Sequence, residues 1–266
     1  MAFVALITGA SAGIGEATAR LLARGPDTRL VLVARRRERL EALAAELGGA
    51  TVVALDLTDP DAPATVLEVV RREHGRLDLL VNNAGASWRG QFGHAGWENV
   101  ARHMELDFEA PVKLTEALLP LLRETAARRG GERRVSIVNV ASTAGRVARP
   151  NSGGYSAAKF ALVGWTDSLY AEEREHGVHV GLVLPGFART EGFPATELLA
   201  KPATRWLVST PEVVAEAIIE AGPGGKPERY VPRYYWIPAA LRIVAPRVLR
   251  GAIARGAFAT STRPRD

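Results

Sequence analysis

The chain has no cysteine, few lysines and no long apolar run. Without cysteine it can form neither disulfide bonds nor thiolate metal sites, and no metal site is predicted. The first apolar run spans about six residues and leads straight into a glycine-rich stretch, which does not resemble a signal peptide. No run approaches the roughly 18 apolar residues of a membrane span. These absences suit a reducing compartment, and we predict a cytoplasmic protein.

Lysine is scarce because arginine supplies 30 of the 34 basic residues, and the other four are lysines. A formal net charge of +5 is compatible with nucleic-acid binding. The arginines are scattered along the chain, however, which favours a compositional bias over a phosphate-binding surface. No nucleic-acid partner is therefore predicted.

Apolar strands alternate with amphipathic helices along the chain. With 266 residues and 47% hydrophobic content, the chain can bury one full core, so residues 1–266 are predicted to form a single domain. The predicted strands are residues 3–7, 29–34, 51–55, 77–81, 135–140 and 178–184. The predicted helices are residues 16–24, 36–47, 63–74, 97–123 and 155–175, and residues 128–134 are predicted to form an exposed loop.

A glycine-rich loop follows the first predicted strand at once. It has the sequence TGASAGIG, residues 8–15, and leads into a predicted helix. Strand, glycine-rich turn and helix in this order are the context of a dinucleotide-binding fingerprint. Glycine lets backbone N–H groups approach a pyrophosphate, and the helix N-terminus favours its negative charge. The alternative is a tight strand-to-helix turn that binds no ligand.

The order of elements predicts an α/β fold with a parallel sheet covered by helices on both faces. A (β/α)8 barrel is the rival architecture. A glycine-rich loop directly after the first strand favours a Rossmann-type doubly wound sheet over the barrel.

Tyr155 and Lys159 are the most informative pair of the chain. Four residues apart in a predicted helix, their side chains lie on the same face. A free phenol keeps its proton at neutral pH, but a nearby ammonium group favours the phenolate and makes tyrosine a usable general acid and base. Tyr-x-x-x-Lys also arises by chance, so the alternative is two solvated helix residues.

Five motifs, taken in order, resemble those of the short-chain dehydrogenase/reductase family. They are the loop at residues 8–15, the sequence NNAG at residues 82–85, Ser142, Tyr155 with Lys159, and Pro185-Gly186 followed by Thr190. The resemblance runs from the first strand to about residue 211. Motifs in this order and at this spacing indicate membership of the family and not chance.

The resemblance implies hydride transfer between a nicotinamide cofactor and a carbonyl or secondary alcohol. Ser142 would donate a hydrogen bond to the substrate oxygen, Tyr155 would exchange its proton, and Lys159 would assist Tyr155 and bind the nicotinamide ribose. Asp56 and Leu57 would border the adenine. The predicted cofactor-binding residues are Gly9, Ser11, Gly13, Ile14, Gly15, Arg35, Arg36, Asp56, Leu57, Asn83, Ala84, Gly85, Tyr155, Lys159, Pro185, Gly186 and Thr190.

One position departs from the family pattern. The family usually carries an asparagine in the helix before these motifs, where it helps to hold a water molecule in the proton relay. The matching residue here is Asp107. Aspartate accepts hydrogen bonds as asparagine does, but it has no donor when ionised. Asp107 is therefore predicted as a fourth catalytic residue, in a relay of altered form.

The end of the second strand bears on the choice between NADP(H) and NAD(H). An acidic residue here binds the ribose 2′-hydroxyl of NAD, whereas a nearby arginine accommodates the 2′-phosphate of NADP. This chain has Ala34 followed by Arg35, Arg36 and Arg37, with no acid before Glu38. Because Arg35 can hold a phosphate bidentately, NADP(H) is favoured over NAD(H). The alternative is a solvated basic first turn of the helix.

Residues 190–208 resemble the family's mobile substrate lid. Its apolar side chains, with Trp88 and Phe92 predicted nearby, favour a hydrophobic substrate, and the alternative is a lid that packs only on itself. The apolar lid residues are Phe193, Leu198, Leu199, Trp206 and Leu207.

Residues 229–266 form a basic, apolar C-terminal extension that lacks the family's glycine-rich final strand. Eight arginines and no acid lie between Arg229 and Arg265. Three interpretations remain: a terminal helix packed on the domain and interrupted at Pro246, a contact with an anionic membrane surface, or a cover over an apolar substrate channel.

Together these features predict an NADP-dependent short-chain dehydrogenase/reductase, with ketoreductase chemistry on a small carbonyl or alcohol substrate and a homodimeric or homotetrameric assembly. The alternative is a non-catalytic NADP-binding sensor or scaffold on the same fold. Loss of Ser142, Tyr155 or Lys159 would indicate that alternative, and all three are present.

Overall fold

The computed structural model describes residues 2–128, 134–193, 195–202 and 204–255. Most of the predicted loop at residues 128–134, and residues 256–266 of the extension, lie outside the described residues. The strands are β1 (Phe3–Thr8), β2 (Thr28–Ala34), β3 (Thr51–Ala54), β4 (Leu79–Asn82), β5 (Val135–Val140), β6 (Val178–Pro185), β7 (Phe187–Ala188), β8 (Val208–Ser209) and β9 (Glu228–Val231). The α-helices are α1 (Gly13–Ala23), α2 (Arg37–Glu46), α3 (Ala62–His74), α4 (Phe92–Met104), α5 (Ala110–Arg128), α6 (Gly153–Glu173), α7 (Thr196–Leu199), α8 (Pro211–Ala221), α9 (Trp236–Val244) and α10 (Pro246–Ala254).

Seven strands form one parallel sheet in the order β3-β2-β1-β4-β5-β6-β9. The chain extends the sheet outward from β1 to β3, then returns to place β4 on the other side of β1. The strand order therefore reverses between β1 and β4. In doubly wound sheets, ligands bind in the crevice at such a switch point, outside the carboxyl ends of the strands. The predicted Rossmann-type fold is confirmed.

Helices cover both faces of the sheet, which explains the continuous apolar runs of its strands. Successive residues of a strand point to opposite faces. Ile7 of β1 packs in a core with residues of α1, α2 and α8. Its neighbour Leu6 packs in a second core with residues of α3, α5 and α6. Residues of β4 divide between the same two cores. Packing on both faces therefore holds β1 and β4, and with them their carboxyl ends, in place.

The predicted helix over residues 97–123 is in reality three helical segments. α4 contains a break at Gly96, whose φ is +59°, so its regular part begins where the sequence predicts. A five-residue π-helix, Glu105–Glu109, then joins α4 to α5. Single π-turns inside α-helices occur frequently at functional sites. Here the π-turn carries Asp107.

The C-terminal region contains a strand that the sequence analysis did not predict. β9 pairs with β6 in parallel, although its residues Glu228, Arg229 and Tyr230 do not form an apolar run. Beyond it, α9 ends at Val244 and α10 begins at Pro246, so the helix is interrupted at the predicted proline. Among the described residues, no helix has both the length and the apolar character needed to cross a bilayer.

Candidate active site

Two adjoining cavities lie at the carboxyl ends of the central strands. The glycine-loop cleft has a volume of about 550 Å³, and the Tyr155 pocket one of about 220 Å³. The cleft is lined by the predicted residues Gly9, Ser11, Gly13, Ile14, Arg35, Arg36, Asp56, Leu57, Asn83, Ala84, Gly85 and Thr190. The pocket is lined by Asp107, Ser142, Tyr155, Lys159, Pro185 and Gly186, and it shares Ile14, Asn83, Gly85 and Thr190 with the cleft. The two cavities thus meet at the switch point.

The glycine loop provides a cradle that side chains would fill. Gly9 and Gly13 have φ values of +66° and +59°, a region that side chains disfavour. A Cβ at Gly13 would lie 3.1 Å from the Thr190 side chain, across the cleft. Since α1 begins at Gly13, its free N–H groups lie beside the cavity, as binding of a pyrophosphate requires.

Gly15 has a different position from the one predicted. It does not line the cleft, because it packs behind the loop. A Cβ there would collide with the Gly9 carbonyl oxygen and lie 2.8 Å from Nδ2 of Asn83. Gly15 therefore allows helix and strand to pack closely.

The NNAG segment is joined to the glycine loop by Thr8. The Thr8 hydroxyl accepts hydrogen bonds from the backbone N–H groups of Asn83 and Ala84, both at 2.9 Å. The Asn83 side chain in turn donates to the Thr8 carbonyl at 2.8 Å. Asn82 lies within the core instead, where it donates to Asn139 at 2.8 Å. Thr8 and Asn139 are supporting residues that the sequence analysis did not single out.

The basic end of the cleft contains two arginines in different surroundings. Arg35 is exposed and pairs with Asp56 at 3.4 Å. Arg36 donates from Nη2 to the Ser11 hydroxyl at 3.1 Å, so its guanidinium lies against the glycine loop. Glu191 also pairs with Arg36, at 2.9 Å, and with Arg39, at 2.7 Å. Hydrogen bonds from Arg39 and Arg36 lower the pKa of Glu191, which stays ionised beside them.

Ser142, Tyr155 and Lys159 meet in the pocket. Ser142 follows β5, where its hydroxyl accepts a hydrogen bond from the Ala144 N–H at 3.1 Å and donates to the Pro185 carbonyl at 3.3 Å. Lys159 Nζ lies 5.8 Å from the centre of the Tyr155 ring, one turn along α6. It donates to the Val140 carbonyl at 3.3 Å. The three side chains therefore line one pocket.

Asp107 lies directly beside this set. Its side chain is fully buried, and Oδ1 is 3.2 Å from Nζ of Lys159. Burial raises the pKa of the Asp107 carboxyl above its usual range, although the charge of Lys159 acts in the opposite direction. A Cβ at Gly85 would lie 2.5 Å from Asp107 Oδ1, so the glycine of NNAG leaves the room for this carboxyl.

If the Asp107 side chain acts only as a polar partner of Lys159, we expect Asp107→Asn to keep most of the turnover at neutral pH. Asp107→Ala should then lose about tenfold, because it leaves the buried Lys159 ammonium without this partner. Because the pKa of Asp107 is raised, its carboxyl takes up a proton at a higher pH than an exposed aspartate as the pH falls. If the charge supports the relay, wild-type turnover should fall through that pKa, and the asparagine variant should lack this acidic limb. Turnover measured against pH at saturating NADPH shows whether this acidic limb is present.

Glu105→Gln is the matched control, because it makes the same acid-to-amide change at an exposed position of the same π-helix. Its pH profile should match the wild type. An alanine variant at Asp107 that equals the wild type at every pH would remove Asp107 from the site.

His103 is a further residue at the site that the sequence analysis missed. It is fully buried. Its Nε2 accepts from the Trp88 N–H at 3.0 Å, and its Nδ1 lies 2.7 Å from the Asn99 carbonyl oxygen. The ring centre lies 5.9 Å from that of Tyr155, edge to face. A single histidine in an amphipathic helix gives no sequence signal that it packs against Tyr155.

Of the predicted apolar lid residues, only Phe193 lines the pocket. It stacks on Phe187, with ring centres 5.7 Å apart. Phe92 is exposed, and Trp88 packs against His103 instead of lining the pocket. Arg89 and Arg149, which the sequence analysis did not select, complete the wall. Pro194 and Ala203 of the predicted lid lie outside the described residues.

The sheet is doubly wound and parallel, a glycine loop lies at its switch point, and serine, tyrosine and lysine line the adjoining pocket. These features define a protein of the dinucleotide-binding α/β class. Comparison with known proteins is more specific. The family model described as short chain dehydrogenase matches residues 3–197, and the chain belongs to this family. The predicted family is confirmed.

Individual relatives agree. Oxidoreductase UcpA of Escherichia coli K12 is 37% identical over 202 residues, which cover 74% of this chain and 72% of that protein. Ketoacyl reductase HetN of Nostoc is 32% identical over 220 residues, which cover 81% of this chain and 74% of that protein. Dehydrogenase/reductase SDR family member 7B of Bos taurus is 34% identical over 197 residues, 70% of this chain, but the match spans only 58% of that protein. The crystal structure of a short-chain dehydrogenase from Streptomyces avermitilis superposes with a TM-score of 0.77, at 29% identity, covering 97% of this chain and 99% of that one.

Proposed function

We propose that this chain is an NADP(H)-dependent reductase or dehydrogenase that interconverts a carbonyl compound with an apolar body and its secondary alcohol. The observation that carries the proposal is the placement of Ser142, Tyr155 and Lys159 in one pocket that shares its wall with the glycine-loop cleft. Phe187 and Phe193 supply an apolar surface for the substrate. The presence of all three polar groups supports an enzyme over a non-catalytic sensor or scaffold.

The cleft residues fit a dinucleotide. The N–H groups around Gly13 would bind the pyrophosphate, Asp56 and Leu57 would border the adenine, and Thr190 would contact the nicotinamide amide. Arg36, held against Ser11, supports a 2′-phosphate site together with Arg35. The bound nicotinamide supplies or accepts the hydride.

The chain's own residues handle the proton. In the reducing direction, the Ser142 hydroxyl turns from the Pro185 carbonyl and donates to the substrate oxygen. Tyr155 transfers its phenolic proton to that oxygen, which leaves a tyrosine phenolate, and the cofactor would supply the hydride that completes the alcohol. The Lys159 ammonium stabilises the phenolate until it regains a proton. Asp107 and the Val140 carbonyl hold Lys159 in place.

A panel of aldehydes and ketones with NADPH, and in parallel with NADH, tests this proposal. We expect turnover with NADPH that increases with the apolar size of the carbonyl compound. Tight binding of NADPH without turnover of any carbonyl or alcohol would favour the sensor or scaffold.

The C-terminal extension supports two partner proposals. Trp236, Ile237, Ile243, Val244 and Val248 are exposed on α9 and α10. The first four recur at helical spacing, so they form an apolar stripe, and arginines flank it on both helices. Such a surface suits an anionic membrane, whereas a homodimer or homotetramer, as the family resemblance implies, would bury it against a second copy. Flotation with anionic and neutral vesicles, together with light scattering, separates the two.

A further inference from the structure

The wall of the Tyr155 pocket contains a cation for which the proposed reaction has no use. Arg149 lies in the connection between β5 and α6, between Ser142 and Tyr155 in the sequence, and it lines the pocket with Arg89. Asp107, the one acid among the described lining residues, pairs with Lys159. The carboxylate of the pocket therefore pairs with Lys159 and not with Arg149.

The Arg149 guanidinium lies over the Phe187 ring in the wall of the pocket. Its guanidinium carbon lies 4.8 Å from the centre of the Phe187 ring. Among the described residues, the Arg149 side chain has no hydrogen bond and no ion pair. Stacking occupies the face of a guanidinium and leaves the N–H donors at its edge for a planar anion.

The surroundings of Arg149 disfavour an isolated positive charge. Burial lowers the pKa of its guanidinium, and the positive charge of Arg89 lowers that pKa further. An arginine nevertheless stays charged in a protein. The groups that act in the opposite direction are the phenols of Tyr155 and Tyr235, and neither is a carboxylate. A bound anion would offset this cost.

Arg149 faces the substrate side of the site. It also lines a small cavity with Tyr235 and Pro238. Neither Arg149 nor Arg89 is among the residues that line the glycine-loop cleft. The phosphates of a dinucleotide in that cleft are therefore not the anion that Arg149 would bind.

We propose that Arg149, supported by the charge of Arg89, binds a carboxylate of the substrate, so that the physiological substrate is an oxo acid and its product the hydroxy acid. This inference rests on the proposed carbonyl reduction. The carboxylate meets the edge of the guanidinium, the apolar carbons contact Phe187 and Phe193, and the carbonyl lies between Ser142 and Tyr155. Arg149 is thus a specificity-determining residue, whereas the chemistry remains with Tyr155.

The experiment compares short-chain oxo acids with their methyl esters, which keep the carbonyl and remove the charge. We expect the wild type to have at least a tenfold higher kcat/KM for the acid of the best chain length. Arg149→Gln should lower that value at least tenfold, mainly through KM, and should change the kcat/KM of the ester much less. Arg149→Lys should restore part of the difference. Arg242→Gln is the matched control, because Arg242 stacks on Phe160 at 4.5 Å and is not among the residues lining the pocket.

Calorimetric titration of butanoate and butanamide into the NADP⁺-saturated protein gives a second readout, independent of turnover. The wild type should bind butanoate more tightly than butanamide, and Arg149→Gln should lose this preference while its melting temperature and NADP⁺ affinity stay normal.

Equal binding of the two compounds by the wild type, or equal loss of acid and ester turnover in Arg149→Gln, would overturn the inference. Turnover of esters without a preference for acids would overturn it and leave the proposed function intact. A protein that binds NADPH and reduces neither class would refute the proposed function, and the butanoate titration would still decide on Arg149.

Discussion

Tyr155→Phe should lower turnover by about two to four orders of magnitude, the range that general acid–base catalysis contributes. The substitution keeps the ring, and with it the edge-to-face contact with His103, but it removes the only proton that the tyrosine can exchange. Lys159 would retain its bonds to Val140 and Asp107, so the pocket should keep its shape. Fluorescence titration should therefore show NADPH affinity close to that of the wild type, while steady-state turnover collapses.

Tyr170→Phe provides the control for this prediction. Tyr170 lies on the same helix, α6, but it is partly exposed and packs against His179, away from the pocket. Its loss of a hydroxyl should leave turnover unchanged. If Tyr155→Phe also kept near-wild-type turnover, the proton would come from another group, and the proposed mechanism would be wrong.

The second large effect concerns the cofactor. Combining Ala34→Asp with Arg35→Gln and Arg36→Gln should reverse the preference for NADPH over NADH. The carboxylate repels a 2′-phosphate and can accept a hydrogen bond from a 2′-hydroxyl. Hydrogen bonds to charged groups contribute about 1.5–3 kcal/mol each, so we expect NADPH affinity to fall about 10- to 100-fold or more. Titration of the variant with both cofactors measures the ratio of the two dissociation constants.

Single variants identify which arginine contributes more to NADPH binding. Arg36 is already held at Ser11, whereas Arg35 is exposed and pairs with Asp56. We therefore expect Arg36→Gln to have the larger effect on NADPH. Arg37→Gln serves as the control, since Arg37 is exposed and pairs with Glu41 along the helix surface. A wild type that binds NADH more tightly than NADPH would contradict the argument.

Local sequence patterns were sufficient for the family and most of the fold. Apolar runs of strand length and helices at 3.6-residue spacing depend on interactions within a short segment, and β5 was predicted with its observed limits. The glycine loop and the Tyr155–Lys159 pair are also local, because a loop conformation and one helical turn fix them. Their chemical roles remain predictions until the variants are measured.

Contacts between distant segments were beyond the sequence. β9 has no apolar run, and it forms a strand because it completes the hydrogen bonds of β6. The position of Gly15 also depends on other parts of the chain, because a Cβ there would collide with the Gly9 carbonyl oxygen and the side chain of Asn83. Such positions depend on which backbone lies opposite, and no periodicity within one segment encodes this.

The sequence by itself predicted the candidate reacting groups, because they belong to motifs that each segment carries alone. Only the tertiary structure placed Asp107 against Lys159, through a π-turn that an ordinary helical pattern does not reveal. It also placed Arg149, in the connection between β5 and α6, on Phe187 of β7, 38 positions further along the chain. The charge and shape of the substrate pocket arise from such pairings, because a pocket wall is assembled from the ends of several strands and no single segment contains it.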